Sequence, residues 1–505
     1  MGRFQLLPSE LWVSVLQELP AFDVVRVQRE SITLRYKITY FLLGVEDVPS
    51  SSRYSTRDRL DRLEAWCCMW ARPVWSEKRV LPPARSPICV SGPAFALAQS
   101  ASAPRTAIDF HATSGEHRGV SARSWTLNAL PDFEAFTFDW YQDLLFLAES
   151  CSGRDELMIH FLSCSTGEPY PLVEHNTLRV ALPAVDPLCT VGLHVCGELF
   201  AIEYIYEDMF HKIMVFNWKQ GCLLLHLDDD PEEYDGGLIA QGCAFLDNRY
   251  VFVVASGLQG IGILAVFDCC TTISSERLIF QDALYAHASL VLVLPRIRAE
   301  IASALDVSCQ PDSPSALPAQ LAAAAFRAHA PPVVLVEICT LDEDGNDTLH
   351  NLLVPGRFVL AQLADRHTAP ECSTRPPRQL PWQAYAHECR VFGSGASGSV
   401  HGARYVRADA AQGGDPTVSV ANVYHFGEPA VLRAYPDEDG QPGAHRVVAP
   451  SDAADAQVWA ERMMTGAPYL LTRTELVCDE GTVVILLEDG VVVVAADEEM
   501  QVLTF

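Results

Sequence analysis

At 505 residues the chain exceeds the size at which one hydrophobic core stops growing, so a small appendage with one large domain, or several domains, is expected. Apolar content of 49% and charged content of 20% fit a folded rather than a disordered chain. The formal charge of −28 argues against sequence-independent nucleic-acid binding and against anionic membrane surfaces, and tilts any partner toward a basic surface.

The first predicted element lies in Leu6-Leu7-Pro8-Ser9-Glu10-Leu11-Trp12-Val13-Ser14-Val15-Leu16-Gln17-Glu18-Leu19-Pro20. Pro8 suits a first helical turn, where its missing N–H costs nothing, and Ser9 and Glu10 suit the positive end of the helix dipole. Leu11, Val15, Leu16 and Leu19 then recur at helical spacing and form one apolar stripe. Pro20 stops the helix, and Phe22 to Val27 starts a second, with Asp23 in its first turn. Two short amphipathic helices bury little surface alone, so the stripe needs a partner, inside the chain or outside it.

The order Leu-Pro-x-Glu-Leu, Val-Leu, Leu-Pro, Asp-Val resembles the F-box, over about two dozen residues at the start of the chain. The resemblance implies docking on the Skp adaptor of a cullin-based ubiquitin ligase, through Leu7, Pro8, Leu11, Val15, Leu16, Leu19 and Pro20. The rest of the chain would then select a target protein. The F-box pattern continues into a third helix, but here Val27-Gln28-Arg29-Glu30 passes directly into Ser31-Ile32-Thr33-Leu34. The alternative is an ordinary helical hairpin packed on its own domain.

Leu34 to Leu43 reads as helical, with Gly44 as its stop, and Pro49 to Ser52 as a turn. Ser55-Thr56-Arg57-Asp58 can cap a further helix, Asp58 being the reciprocal acid. Leu60, Leu63, Cys67 and Trp70 line one face of that helix and Arg57, Asp61 and Glu64 the other, until Pro73 ends it. The stretch is similar to the connector after the F-box in many basidiomycete fungal proteins. An amphipathic helix packing one domain on the next is an equally compatible reading.

From about Pro82 onward the period becomes strand-like, with short runs of Val, Ile, Leu and Phe between Gly, Asp, Asn and Pro turns. Three passages share one shape: Leu144–Leu147 then Leu157–Phe161, Leu199–Ile202 then Ile213–Trp218, and Tyr250–Val254 then Ile263–Asp268. Their spacing of roughly 50 residues is a propeller-blade period, and the remaining chain gives roughly six to eight blades. The Val215-Phe216-Asn217-Trp218-Lys219-Gln220-Gly221 passage is similar to the strand-turn of WD-type blades, without their Gly-His and Trp-Asp signatures. A sandwich or jelly-roll pair is the alternative.

The expected organisation is therefore mainly β, with some α. It comprises a truncated F-box-like hairpin over 1–30, a helical connector over 31–80 and a β-propeller-like domain over 81–505, with a loop insertion at 295–332 carrying at most a short helix. Arg366 to Pro381, Asp409 to Asp415 and Tyr435 to Ala444 read as long surface loops. Two hairpins are expected, Val333–Ile338 with His350–Val354 and Val483–Leu487 with Val491–Val494, the second turning on Glu488-Asp489-Gly490. The last strand is a candidate to complete a blade.

Chemistry-bearing motifs are sparse. Gly393-Ser394-Gly395-Ala396-Ser397-Gly398-Ser399-Val400 matches the kinase glycine-loop pattern, but no lysine follows Lys219 to pair the phosphates. A turn between strands is the better reading. Asp342 to Asp347 has its Gly345 too early for an EF-hand and reads as a hairpin turn, and Asp228-Asp229-Asp230 as a solvated acidic loop. The sixteen cysteines have no Cys-x-x-Cys spacing. Cys164, Cys222, Cys243, Cys269, Cys270 and Cys339 lie in apolar runs and read as buried reduced thiols, with no disulfide or zinc spacing. No cofactor or metal is expected, the fifteen histidines showing no ligand spacing. Without a basic-then-apolar leader or a long apolar run, cytosol or nucleus is the expected compartment.

These readings converge on a non-catalytic substrate receptor of a Skp–cullin–F-box ligase. Its partners would be the Skp-type adaptor with its cullin ligase and an unknown protein target, with neither nucleic acid nor membrane. A propeller scaffold with a degenerate F-box and a propeller hydrolase are the alternatives. Propeller enzymes gather their groups from several blades on the central channel, which no local motif reveals.

Overall fold

The computed structural model describes Tyr36 and residues 45–47, 54–71, 75–81 and, with interruptions, 88–504; the longest stretches left out are 1–35, 427–443 and 311–325. Within these residues the chain is mainly β and forms a seven-bladed propeller. Blade one is Ile88–Ser91, Ala94–Ala98, Ile108–Ala112 and Arg123–Leu127, and blade two is Ala135–Asp139, Leu144–Ser150, Glu156–Ser163 and Thr177–Ala181. Blade three is Thr190–Cys196, Leu199–Tyr206, Phe210–Asn217 and Cys222–Asp228. Blade four is Leu238–Phe245, Tyr250–Gly257, Ile261–Asp268 and Ala288–Val293. These four blades are antiparallel meanders whose first strands lie side by side, and Arg378–Leu380, inside the 366–381 stretch expected to be a loop, joins the outer edge of blade four in parallel with Ala288–Val293.

Blade five is Ala302–Ser308, Val333–Leu341, Asp347–Pro355 and Arg390–Phe392. Its innermost strand thus lies inside the 295–332 stretch expected to be an insertion. Alternation explains this, since Leu305 and Val307 are buried while Ala304 and Asp306 are exposed. Such half-buried strands carry a weaker apolar signal than the central ones. Of the remaining stretch, Phe326–Ala328 forms a short strand paired with Val45–Asp47. Blade six is Ser399–His401, Arg404–Ala410, Val418–His425 and Tyr469–Asp479, with Ala444–Val447 added at its edge.

The seventh blade closes the ring. Val483–Leu486, Gly490–Val494 and Met500–Thr504 supply three strands, and Glu77–Leu81, from the other end of the chain, pairs antiparallel with Met500–Thr504 as the fourth. Ring closure therefore rests on main-chain bonds between segments over 400 residues apart, such as the Lys78 and Leu503 register pair. The edge strand Glu-Lys-Arg-Val-Leu is exposed except at Leu81, and its charges disfavour pairing with another chain.

The hydrophobic interior is divided among the seams between blades. Strand alternation sends Val251, Val253 and Ala255 toward blade three and Tyr250, Phe252 and Val254 toward blade five. In blade two, Leu144, Phe146 and Ala148 pack toward blade three, and Leu145 and Leu147 toward blade one. A strand buried on both faces needs apolar residues at every position, which is why these segments read as continuous apolar runs. Three such passages were paired correctly from sequence; they are the second and third strands of blades two, three and four. Both expected hairpins also form.

Helices are few. We label Thr56–Ala71 α1, Phe280–His287 α2 and Gly356–His367 α3; a single further turn covers Trp382–Tyr385. Neither α2 nor α3 was anticipated from sequence, both being short excursions between strands. Among the described residues no helix is long and apolar enough to cross a membrane.

Candidate functional site

The described face with the most elaborate polar structure carries the turns between the first and second strands of each blade. In blades two to four a polar pair links this turn to the turn between the third and fourth strands. Ser163 and Ser165 donate to Asp143, Lys219 pairs with Glu198 at 2.8 Å, and Arg249 holds Asp268 through Nε (2.9 Å) and a second guanidinium nitrogen (2.6 Å). The Lys219 and Arg249 pairs are partly exposed and worth at most about 1 kcal/mol each.

At the closing seam the corresponding pair spans two blades and is buried. Glu488 and Asp489 form the first hairpin turn of blade seven, and Arg118 reaches them from the loop between the last two strands of blade one. Arg118 Nε donates to both Asp489 carboxylate oxygens at 2.9 Å, one terminal nitrogen lies 2.9 Å from Glu488 Oε1, and the other contacts Asp489 Oδ2. Tyr141, at the corresponding turn of blade two, donates its hydroxyl to Glu488. Burial works against the charge on Arg118, but Asp489 and Glu488 outweigh it and hold the guanidinium protonated. Close approach requires Gly115, because a Cβ there would lie 2.5 Å from Asp489 Oδ2.

Helix α1 is fastened to the same cluster. Ser55 and Asp58 form its reciprocal cap: the Asp58 N–H donates to Ser55 Oγ at 3.2 Å, and the Ser55 N–H to Asp58 Oδ2 at 3.1 Å. The bond from Ser55 holds the Asp58 carboxyl below its usual range. Leu60, Leu63, Trp66 and Trp70 merge with the core between blades six and seven. Trp66 Nε1 donates to Asp489 Oδ1 at 3.0 Å, and the Arg404 guanidinium lies 3.9 Å from the centre of the Trp70 ring while donating to the Glu488 carbonyl at 3.2 Å. Tyr36 is buried against the helix, its hydroxyl accepting from Arg59 at 3.4 Å. The expected apolar face of α1 is present, with Cys67 only half buried. Trp66 was missed although it sits three residues after Leu63 and four before Trp70.

The second polar group lies on the inner strands of blades three and four. His194 and Glu203, diagonal neighbours on the first two strands of blade three, approach to 3.3 Å, and Cys243 of blade four completes a group whose ligand-type atoms lie within 4.8 Å of one another. Asp306 of blade five stands beside them. Burial, then the Glu203 and Asp306 carboxylates, push the Cys243 thiol well above its usual range. Among the described residues no other group of three or more His, Cys, Asp or Glu side chains has comparable metal-holding geometry.

Of the residues expected to bind an adaptor, Leu7, Pro8, Leu11, Val15, Leu16, Leu19 and Pro20 lie outside the described residues. The glycine-loop motif falls in the connection between blades five and six, with residues 394–397 outside the description. Asp228 is buried between Lys212 (3.5 Å) and Arg277 (3.0 Å), while residues 229–236 are outside the description. The described cysteines are all free; Cys164, Cys243 and Cys269 are buried as expected, Cys222 and Cys339 are half-buried, and Cys270 is exposed. Cys270 lies just beyond the end of its strand, in the turn after Asp268, so the apolar run does not cover it.

No protein-family model matches the sequence, and no curated protein does. Among solved structures the chain is similar to the hydrazine synthase of Kuenenia stuttgartiensis, at 14% identity and a TM-score of 0.28, covering 52% of this chain and 70% of that one. It is also similar to a structure from a study of two prolyl endopeptidases, at 9% identity and a TM-score of 0.27, covering 74% of this chain and 58% of that one. At these scores neither says what this chain does.

Two outcomes follow from the seam cluster. Replacing Arg118 by Leu leaves Glu488 and Asp489 buried without their cation and should cost about 3–5 kcal/mol in chemical denaturation. Arg118→Lys should recover little of it, since an ammonium cannot span both carboxylates. His401, buried beside Arg404 and Arg118, has its pKa lowered from 6.5 to about 3, chiefly by burial and then by Arg404. Above about pH 6.5 both folded and unfolded imidazoles are neutral and His401 is silent. As the pH falls from there toward about 3 the unfolded chain takes up a proton that the folded site refuses, and stability drops by up to about 1.4 kcal/mol per pH unit. His401→Gln should flatten the stability–pH curve between about pH 6 and 4; an unchanged slope would show that other groups dominate there.

Proposed function

We propose that the chain is a non-catalytic substrate receptor, in which residues 6–20 dock the Skp-type adaptor of a cullin ubiquitin ligase and the propeller holds a target protein. The fixed seat of α1 on the closing seam supports this reading most directly. Leu60, Leu63, Trp66 and Trp70 and the Trp66–Asp489 bond tie the helix to the ring. Any adaptor-binding segment before residue 54 would therefore be carried from a fixed point on one face. A receptor works by raising the local concentration of target lysines near the charged ubiquitin carrier, and a fixed attachment keeps that concentration high. The propeller itself is compatible with protein interaction, and the −28 charge favours a basic target surface. The proposed compartment is cytosol or nucleus.

A second reading, an enzyme centred on the inner strands, is favoured by one observation, the convergence of His194, Glu203 and Cys243 from two blades. Without that group it would have no support.

Co-purification of the full chain with a fungal Skp adaptor decides the first reading. Wild type is expected to retain the adaptor at an equimolar ratio, and a Leu11→Asp/Leu16→Asp double variant to lose it at least tenfold while keeping the wild-type thermal midpoint. Equal recovery from both, or none from wild type, would end the ligase reading and leave a propeller scaffold.

A further inference from the structure

We propose that the inner part of the seam between blades three and four carries a zinc-type divalent cation site built from His194, Glu203 and Cys243, with Asp306 supplying a fourth donor or a partner for bound water. The site does not rest on the ligase reading. Its donors are one imidazole nitrogen, one carboxylate oxygen and one thiol sulfur, all within 4.8 Å of one another. That mixture suits a borderline-soft, tetrahedral ion, whereas magnesium and calcium select all-oxygen cages.

Glycines border the group on both blades. Glu203 stands opposite Gly192 in the pairing of the first two strands of blade three; a Cβ at Gly192 would lie 3.5 Å from the Glu203 carboxylate and 3.6 Å from His194 Nε2. A second strand glycine, Gly242, has the same relation to the other acid: its Cβ would lie 3.2 Å from Asp306 Oδ1 and 3.6 Å from Glu203 Oε1. Glycine weakens a strand interior and marks places where another group must come close. Here two glycines from neighbouring blades both border the Glu203 carboxylate.

The register of blade four also serves the site. A bulge between Ala240 and Gly242 leaves Gln241 outside the ladder, and its Oε1 accepts the Leu305 N–H of blade five at 2.8 Å. This bond draws the first strands of blades four and five together next to Cys243 and Asp306. The ligands therefore come from separate blades, so an ion there would link blades three and four, with Asp306 extending the link to blade five. The His194 side chain is 33% exposed, which leaves the group open to solvent on one side. On binding, the Cys243 thiol would become a metal-bound thiolate and one proton would pass to solvent, so affinity should fall with falling pH.

The test uses the full chain, purified in reductant, stripped with chelator, reloaded with zinc chloride and desalted. Elemental analysis should find one zinc per chain in wild type and in Cys270→Ser, which removes an exposed thiol elsewhere. It should find less than a fifth of that in Cys243→Ser and in His194→Gln. Cobalt(II) should give a thiolate-to-metal absorption band in wild type that Cys243→Ser abolishes. Zinc should raise the thermal midpoint of wild type and leave Cys243→Ser unmoved. His194→Gln, at a half-exposed position, keeps the test valid if the cysteine variant misfolds. No zinc retained by wild type, or equal zinc in the folded variants, would overturn the proposal.

Discussion

A ring of blades has to be closed, and the structure depends on how that is done. In six blades the four principal strands follow one another along the chain, each blade burying its faces against its neighbours. The seventh borrows Glu77–Leu81 for its outer strand, so closing the ring means joining segments more than 400 residues apart. Loop-closure entropy grows only slowly with length, so the native pairing tolerates that separation. The buried Arg118 pair with Glu488 and Asp489 fixes the same seam from the other side, linking blade one to blade seven. A buried ion pair adds little net stability over well-packed apolar residues, yet once present it penalises every arrangement that separates its members. At this seam it selects one register of closure.

The seam also fixes what precedes it in the chain. Asp489 accepts from Trp66 as well as from Arg118, and Glu488 binds Arg404 through its carbonyl while Tyr141 holds its carboxylate. One two-residue turn thus joins blades one, two, six and seven to α1. Where blades three and four have partly exposed pairs such as Lys219–Glu198, this turn is sealed under the tryptophans of the helix.

Much of this was legible in the sequence for physical reasons. A strand buried on both faces must be apolar throughout, so the central strands of blades two to four stood out, and Glu488-Asp489-Gly490 between valine and leucine runs announced its hairpin. The cap of α1 was equally plain, because Ser55 and Asp58 act within one turn. What stayed hidden was whatever depends on distance along the chain. Arg118 lies in an ordinary-looking loop, and nothing nearby signals that its partners are 371 residues away. Glu77–Leu81 falls at the end of the stretch expected to be a helical connector, because an exposed, charged edge strand offers no apolar run. The inner-seam group escaped because His194, Glu203 and Cys243 have no common spacing until the strands are placed side by side. Ala302–Ser308 was absorbed into the Ala- and Pro-rich stretch after it, an innermost strand facing a channel needing only half the usual apolar residues.

The claim that α1 and the closing strand belong to one cooperative unit is tested most directly by native-state hydrogen exchange on the full chain, resolved to peptides. The account predicts that amides of Leu60–Trp70 and of Met500–Thr504 open with the same free energy as those of Tyr250–Gly257 in the middle of the ring. Exchange of the α1 amides at much lower cost, while the blades stay protected, would contradict it and leave the helix a tether instead of a part of the propeller.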